Sequence, residues 1–347
     1  MRLQRAVKFK TWVVDTLWYT RHPLRWFLLP LAIAYRMIVA LRRYYLKHVR
    51  QRQFPVPIIV VGNLTVGGVG KTPLVIALAT QLQARGVRVG IVSRGYGARV
   101  GHFPHEVCVT AEADAVGDEP LLLAKKTGCP VVIAPKRADA VQYLLDKYQS
   151  QIIISDDGLQ HYAMGRAIEI VVIDGRRGVG NGLCLPAGPL REGVQRLQDA
   201  DFIVINGAET SADALILQDV LPNRLNTYRM DLLPGEITGL ANGKPIKLKE
   251  LTNPVAAIAA IGHPQRFFSL LEDLGVGFNA YSFDDHHRFR KEELQVTEKM
   301  VVMTEKDAVK CQPFATELMY FLPVEAKVDN NFWDALWRHK QLQGYIT

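Results

Sequence analysis

Short apolar runs recur through the first two-thirds of the chain, each closing on glycine or a polar residue. Pro57–Val61, Val87–Val92, Val131–Ala134, Ile152–Ser155, Glu169–Ile173 and Phe202–Ile205 lack strict alternation and read as strands covered on both faces. Between them, 74–85, 120–127 and 137–148 read as helices. Strands alternating with helices predict an α/β fold, a doubly wound and mostly parallel sheet, over residues 54–225. A stretch rich in proline and glycine (Pro234, Gly235, Gly239, Gly243, Pro245) predicts a connector over 226–250. Beyond it Val255–Ile261, Phe278–Phe283, Met300–Met303 and Leu318–Leu322 alternate with helices again, which predicts a smaller α/β lobe over 251–347.

Residues 1–53 have another texture. They hold 12 Lys/Arg and one acid, Asp15, so this segment is +11 in a chain of net charge +8 and the remainder is −3. Trp12, Leu17, Trp18, Tyr19, Leu24, Trp26, Phe27, Leu28 and Leu29 are interleaved with the cations. The uncharged stretch Trp26–Tyr35 is far shorter than the roughly 20 apolar residues a spanning helix needs. No small-residue cleavage site follows it, so no removed signal peptide is expected. Rings and aliphatics mixed with Lys/Arg suit helices lying at an anionic membrane surface. Pro23 and Pro30 are expected to break this segment into pieces. The plainer alternative is helices packed on the body, with arginine stems covering apolar surface. A nucleic-acid arm has no need of three tryptophans among leucines, and no nucleic acid is expected. The composition, 48% hydrophobic and 22% charged, provides for a sizeable core. Four cysteines far apart in sequence, with no CxxC pair, argue against a disulfide framework or a zinc site and fit a reducing compartment.

The chemistry starts after Val61. Gly62-Asn63-Leu64-Thr65-Val66-Gly67-Gly68-Val69-Gly70-Lys71-Thr72-Pro73, followed by an apolar helix, is a strand, a glycine turn and a helix start. Thr65, Val66, Gly67, Gly68, Val69, Gly70, Lys71 and Thr72 form the expected phosphate loop. Its glycines bring backbone N–H groups onto phosphate oxygens, and the helix adds its positive end. Lys71 reaches the β- and γ-phosphates, and the Thr72 hydroxyl ligates Mg²⁺. The general pattern has glycine where this chain has Thr65. Partition-type ATPases carry a lysine where this chain has Val66, which counts against a dimeric switch.

Three further places carry charge at strand ends. Ile152–Ser155 closes on Asp156-Asp157-Gly158, the place where a P-loop enzyme sets its second magnesium ligand. Asp118, in Gly117-Asp118-Glu119-Pro120, opens a helix, where a plain helix cap is the competing reading. Arg94 follows Val87–Val92 and Arg137 follows Val131–Ala134, both placed to hold phosphate.

These blocks, with Ser93-Arg94-Gly95-Tyr96-Gly97, Leu185-Pro186-Ala187-Gly188-Pro189-Leu190-Arg191-Glu192, Gly262-His263-Pro264 and Met303-Thr304-Glu305-Lys306-Asp307-Ala308-Val309-Lys310, resemble the tetraacyldisaccharide 4′-kinase family in order over nearly the whole chain. The resemblance implies transfer of the ATP γ-phosphate to the 4′-hydroxyl of a tetraacyldisaccharide 1-phosphate, giving lipid IVA in lipid A biosynthesis. It implies Asp118 as base with His286 as partner, His287 being the competing histidine. It also implies Asp156 and Asp157 at magnesium, and Arg94, Arg137 and Arg191 at the substrate. Asp118 and His286 fall on different lobes, so their site is expected in a cleft between them. The expected setting is peripheral, at the cytoplasmic face of a Gram-negative inner membrane, with no obligate protein partner. His161 and His263 are read as structural. A rival reading is a membrane-tethered switch ATPase without a phosphoryl acceptor.

Overall fold

The computed structural model describes residues 16–20, 22–207 and 226–346. Arg2, Arg5, Lys8, Lys10, Trp12, Asp15 and Arg21 of the basic segment therefore lie outside the described residues.

Residues 16–19 are helical, the helical path is interrupted around Pro23 as expected, and helix α1 (Arg25–His48) then runs 24 residues through Pro30 without a break. Pro23 precedes the helix, while Pro30 falls in its second turn, so the proline removes only the bond to the Trp26 carbonyl and the rest of the ladder carries on. Among the described residues no helix is long and apolar enough to cross a membrane.

The main sheet has nine strands in the order β14-β8-β7-β6-β1-β5-β2-β4-β3. Its centre is β1 (Ile58–Gly62), paired in parallel with β5 (Ile152–Asp156) and β6 (Ile168–Asp174). β2 (Val89–Ser93), β4 (Val131–Ile133), β7 (Phe202–Asn206) and β8 (Thr227–Pro234) extend it in parallel. Every residue of β1, β2, β4, β5 and β6 is buried, as continuous Ile/Val runs require when helices cover both faces. Helices α2 (Lys71–Gln83), α3 (Ala113–Val116), α4 (Asp118–Thr127) and α5 (Arg137–Tyr148) follow their strands. Leu74, Leu78 and Leu82 of α2 and Leu121 of α4 join one core with Ile59, Ile91 and Ile154, while Ala140 and Leu144 of α5 pack on Ile58, Val60 and Val132. The edge strand β3 (His105–Glu106) is antiparallel to β4.

The second sheet has the order β11-β10-β12-β13-β9. β10 (Val255–Ala259), β11 (Phe278–Ser282), β12 (Val301–Thr304) and β13 (Met319–Leu322) are parallel, and β9 (Thr238–Gly239) is antiparallel. Helices α6 (Pro264–Asp273) and α7 (Glu305–Cys311) cover it.

Two stretches depart from the expected division. The stretch read as a connector contains β8, whose Tyr228, Met230 and Leu232 alternate inward against Arg229 and Asp231. The chain also does not stay in the second lobe to residue 347. β14 (Val324–Val328) pairs antiparallel with β8, and α8 (Asn330–Trp337) puts Phe332 and Leu336 into the core of the first sheet. The apolar positions of both returning elements fit a surface that β8 leaves open.

Candidate active site

The carboxyl edges of both sheets supply the site. After β1 the chain enters the phosphate loop, with φ of 110° at Gly67 and 91° at Gly70, values only glycine takes without strain. Thr65 is not among the residues with positive φ. It makes an antiparallel bridge with Leu190, and the neighbouring Val66 N–H donates to the Pro189 carbonyl at 2.9 Å. An extended residue pinned in this way does not need to be glycine, which accounts for the departure from the general pattern. Lys71 starts α2, and its Nζ lies 3.2 Å from Asn63 Oδ1 and 3.4 Å from Asp157 Oδ1. Asn206, at the end of β7, donates to the Val69 carbonyl at 2.8 Å and backs the loop from below.

Asp156 and Asp157 part company at the end of β5. Asp157 sits at φ 45° and accepts from Arg191 Nη1 at 3.2 Å. Burial opposes its ionisation, but Lys71 and Arg191 outweigh burial and hold its pKa well below the usual carboxylate range. Asp156 is 1% exposed and neither carboxylate oxygen has a hydrogen-bond partner. Burial, then Glu119 and Asp157, push its pKa up to about 7. A buried carboxylate with both oxygens unpartnered beside a phosphate loop fits a hard cation that also takes oxygens from phosphate and from Thr72. Among the described residues no group of three or more His, Cys, Asp or Glu forms a metal cage by itself, in keeping with magnesium held largely by a nucleotide.

The second cluster brings the two lobes together. Asp118 opens α4 and is 6% exposed. His286, at φ 59° after β11, places Nδ1 3.0 Å from Asp118 Oδ1 and 3.1 Å from Oδ2. His287 instead turns to Glu293 at 3.1 Å and stacks on Phe283. Lys306 of α7 lies 3.0 Å from Glu119, 3.3 Å from Asp285 and 3.8 Å from Asp118. Lys310 is 4.0 Å from Asp118 and 2.6 Å from Asp307. Burial would raise the Asp118 pKa, but the His286 hydrogen bond and the charges of Lys306, His286 and Lys310 hold it well below the usual range. The bond to Asp118 raises the His286 pKa against burial and Lys306. The clusters adjoin, since Glu119 acts electrostatically on Asp156. They meet again at Gly262, where a Cβ would stand 2.6 Å from the Gly68 nitrogen and 3.3 Å from Asp285 Oδ2.

The three expected substrate arginines separate. Arg191 faces Asp157 and also reaches Gln160 Oε1 at 3.4 Å. Arg94 is exposed at the end of β2. Arg137 is turned inward instead. It is 2% exposed, and it donates to the carbonyls of Ala134 at 3.0 Å and Asp156 at 3.2 Å. Its guanidinium braces the β5 turn, and the desolvation of this place lowers its pKa to about 10. His161 is half-buried among cations and kept neutral, its pKa lowered to about 3 by desolvation, then Arg137 and Arg94. Sequence reasoning did not single out Asn63, Asn206, Glu119, Lys306 or Lys310. The signal for Lys306 was present, because β12 closes on Thr304 just as β5 closes on Asp156.

A sequence profile of the tetraacyldisaccharide-1-P 4′-kinase family matches residues 24–341. The chain belongs to this family. A tetraacyldisaccharide 4′-kinase of Legionella pneumophila strain Corby is 53% identical over 96% of this chain and 98% of its own length. One from Aeromonas hydrophila is 44% identical over 93% and 95%. LpxK from Aquifex aeolicus, solved as an "apo" form in complex with ATP, superimposes with a TM-score of 0.73 at 27% identity, over 93% of this chain and 100% of that one. The P-loop NTPase-like, mostly parallel α/β fold is thus that of a solved family member.

Proposed function

We propose that the chain transfers the γ-phosphate of ATP to the 4′-hydroxyl of a tetraacyldisaccharide 1-phosphate, with Asp118 and His286 as the proton-handling pair. The observation that carries the residue assignment is the 3.0 Å contact of His286 Nδ1 with Asp118 across the two lobes, beside a phosphate loop. A helix cap would not draw a histidine and two lysines from another lobe.

The phosphate loop and Lys71 would hold the triphosphate, and Thr72 and Asp156 would hold Mg²⁺. A magnesium ion held there would supply charge neutralisation to the phosphate being transferred. Arg191, linked to Lys71 through Asp157, brings a second cation to the same place. A carboxylate held as low as Asp118 is a weak base. Phosphoryl transfer through a loose transition state needs little proton movement before the phosphorus–oxygen bond is broken. Asp118 therefore acts first by accepting the hydroxyl hydrogen bond and fixing the oxygen in line. It takes the proton late, when the new ester oxygen has become acidic. His286 fixes the carboxylate, and Lys306 balances the charge of the Glu119–Asp285 pair around it.

The acceptor is a lipid, and α1 carries the surface to meet it. Trp26, Phe27, Leu31, Ile38 and Leu41 are all exposed, Phe27 to 81%. Arg42 on the same helix reaches the carbonyl of Gln160, whose amide side chain contacts Arg191. The helix thus lies beside the phosphate end of the site, peripheral at an anionic bilayer, on the cytoplasmic face where ATP is supplied.

The test is transfer of labelled γ-phosphate from ATP to the purified disaccharide lipid in mixed micelles, with and without Mg²⁺. Magnesium-dependent labelled lipid is expected. Free phosphate without labelled lipid would overturn the reading in favour of a switch ATPase.

A further inference from the structure

Under the C-terminal half of α1 a cavity of about 360 Å³ opens between the helix and the segment 192–196. Arg36, Ala40, Arg43 and Lys47 form one stripe of the helix along it, and Arg196 closes the far wall. Glu192 is the carboxylate in the lining, and its oxygens are already taken by Gln160 at 3.0 Å and by the Tyr162 hydroxyl. Arg196 is 3% exposed. Its Nη2 binds both oxygens of Glu169 at 2.6 and 2.5 Å, and its Nε donates to Tyr162 at 2.9 Å. Its Nη1 makes no hydrogen bond and is in a longer ion pair with Asp199 at 3.6 Å, on the side of the adjoining cavity, so its hydrogen-bonding capacity is not filled. A buried guanidinium nitrogen left in this state wants an acceptor. Asp199 pairs with Arg43 from the rim. The acids Glu169, Asp199 and Asp201 line an adjoining cavity of about 210 Å³, so the Arg36 side is left cationic.

We propose that this cavity is a phosphate site for an anionic membrane phospholipid, separate from the nucleotide and acceptor sites. The phosphate sits among Arg36, Lys47 and Arg196, and the acyl chains follow Tyr44 at the cavity mouth and the exposed Leu41 beside it into the bilayer. A free phosphate would use the cations but not the apolar rim of the same helix. The proposal rests on reading α1 as the membrane-contacting element, and adds to it a preference for one headgroup chemistry.

The experiment is flotation of the full chain with vesicles of phosphatidylcholine alone or with phosphatidylglycerol added. Wild type is expected to bind the anionic vesicles at least tenfold more tightly. Arg36→Ala with Lys47→Ala lowers that ratio, as would any loss of surface charge near a membrane. The deciding variant is Ala40→Trp, which fills the cavity and leaves the charge unchanged. A fall of the anionic-to-neutral ratio to near one supports the site, and a ratio equal to wild type overturns it. Turnover in neutral micelles verifies that each variant is folded. A higher KM of the double variant in those micelles for the 1-phosphorylated substrate alone would also overturn the proposal, assigning the cavity to the substrate's own phosphate. Absence of binding to either vesicle would refute the membrane reading of α1 itself, a result distinct from retained but unselective binding.

Discussion

Replacing Asp118 with alanine separates the functional role of this carboxylate from its structural one. Three cationic groups stand within 4.0 Å of it, yet none depends on it alone. Lys306 keeps Glu119 at 3.0 Å and Asp285 at 3.3 Å, and Lys310 keeps Asp307 at 2.6 Å. The variant therefore loses hydrogen bonds without stranding a charge, and about 1–3 kcal/mol of stability is expected to go. The catalytic loss is larger, 10²- to 10⁴-fold in kcat for a positioned base, or roughly 3–5 kcal/mol of barrier. The proposed nucleotide contacts sit on the other cluster, so the ATP dissociation constant is expected to stay within about threefold. Single-turnover transfer of labelled phosphate, with ATP binding followed by calorimetry, gives both quantities. A His286→Ala change added to Asp118→Ala should cost little more, because a residue acting through another is silent once that other is gone. A kcat within tenfold of wild type, or full additivity of the two changes, would return Asp118 to the role of a helix cap.

Lys71→Ala removes the charge proposed to meet the transferring group and is expected to abolish turnover while Tm changes little, measured by transfer assay and melting. Gly262→Ala forces a Cβ to 2.6 Å from the Gly68 nitrogen. It should raise the KM for ATP roughly tenfold, as overpacking at this contact moves the loop. Asp156→Asn should abolish magnesium-dependent turnover yet raise Tm, because it removes a buried carboxylate with neither oxygen partnered; a lower Tm would refute this. For His286 the folded pKa is raised, so its stabilising contribution is complete below about 6.5 and lost as pH rises past the folded value. The Tm advantage of wild type over His286→Gln should accordingly shrink as the pH is raised above about 6.5, and a constant advantage would refute the pairing.

The parallel strands were legible because they are buried on both faces and carry unbroken Ile and Val, with boundaries a residue or two from those observed. The phosphate loop was legible because its glycines and Lys71-Thr72 occupy fixed offsets that a plain turn does not need. β8 was missed for a physical reason. It is covered on one face only, and its alternation through Tyr228, Met230 and Leu232 is masked by the prolines and glycines around it. The return of β14 could not be read locally, since its partner lies about ninety residues earlier in the chain. Arg137 was misplaced because a cation at a strand end has two choices, and the backbone carbonyls of Ala134 and Asp156 claimed it. The partnership of Lys306 with Glu119 is likewise a fact of tertiary structure, joining α7 to α4 across the lobes.

The pairing of β8 with β14 places Pro234 opposite Val324. The chain leaves the large sheet at one of these residues and comes back at the other, so the whole second lobe is an insertion hung from two adjacent points. Two tethers side by side fix the lobe at one edge only, so its seat over Asp118 is left to non-covalent contacts such as Arg266 with Asp174 and Lys306 with Glu119. A short linker joining residue 234 to residue 324 would excise the lobe and leave β14 and α8 in place on the sheet. Shortening the chain from its C-terminus does the reverse, since it strips the nucleotide-binding sheet of its edge strand before it touches the lobe.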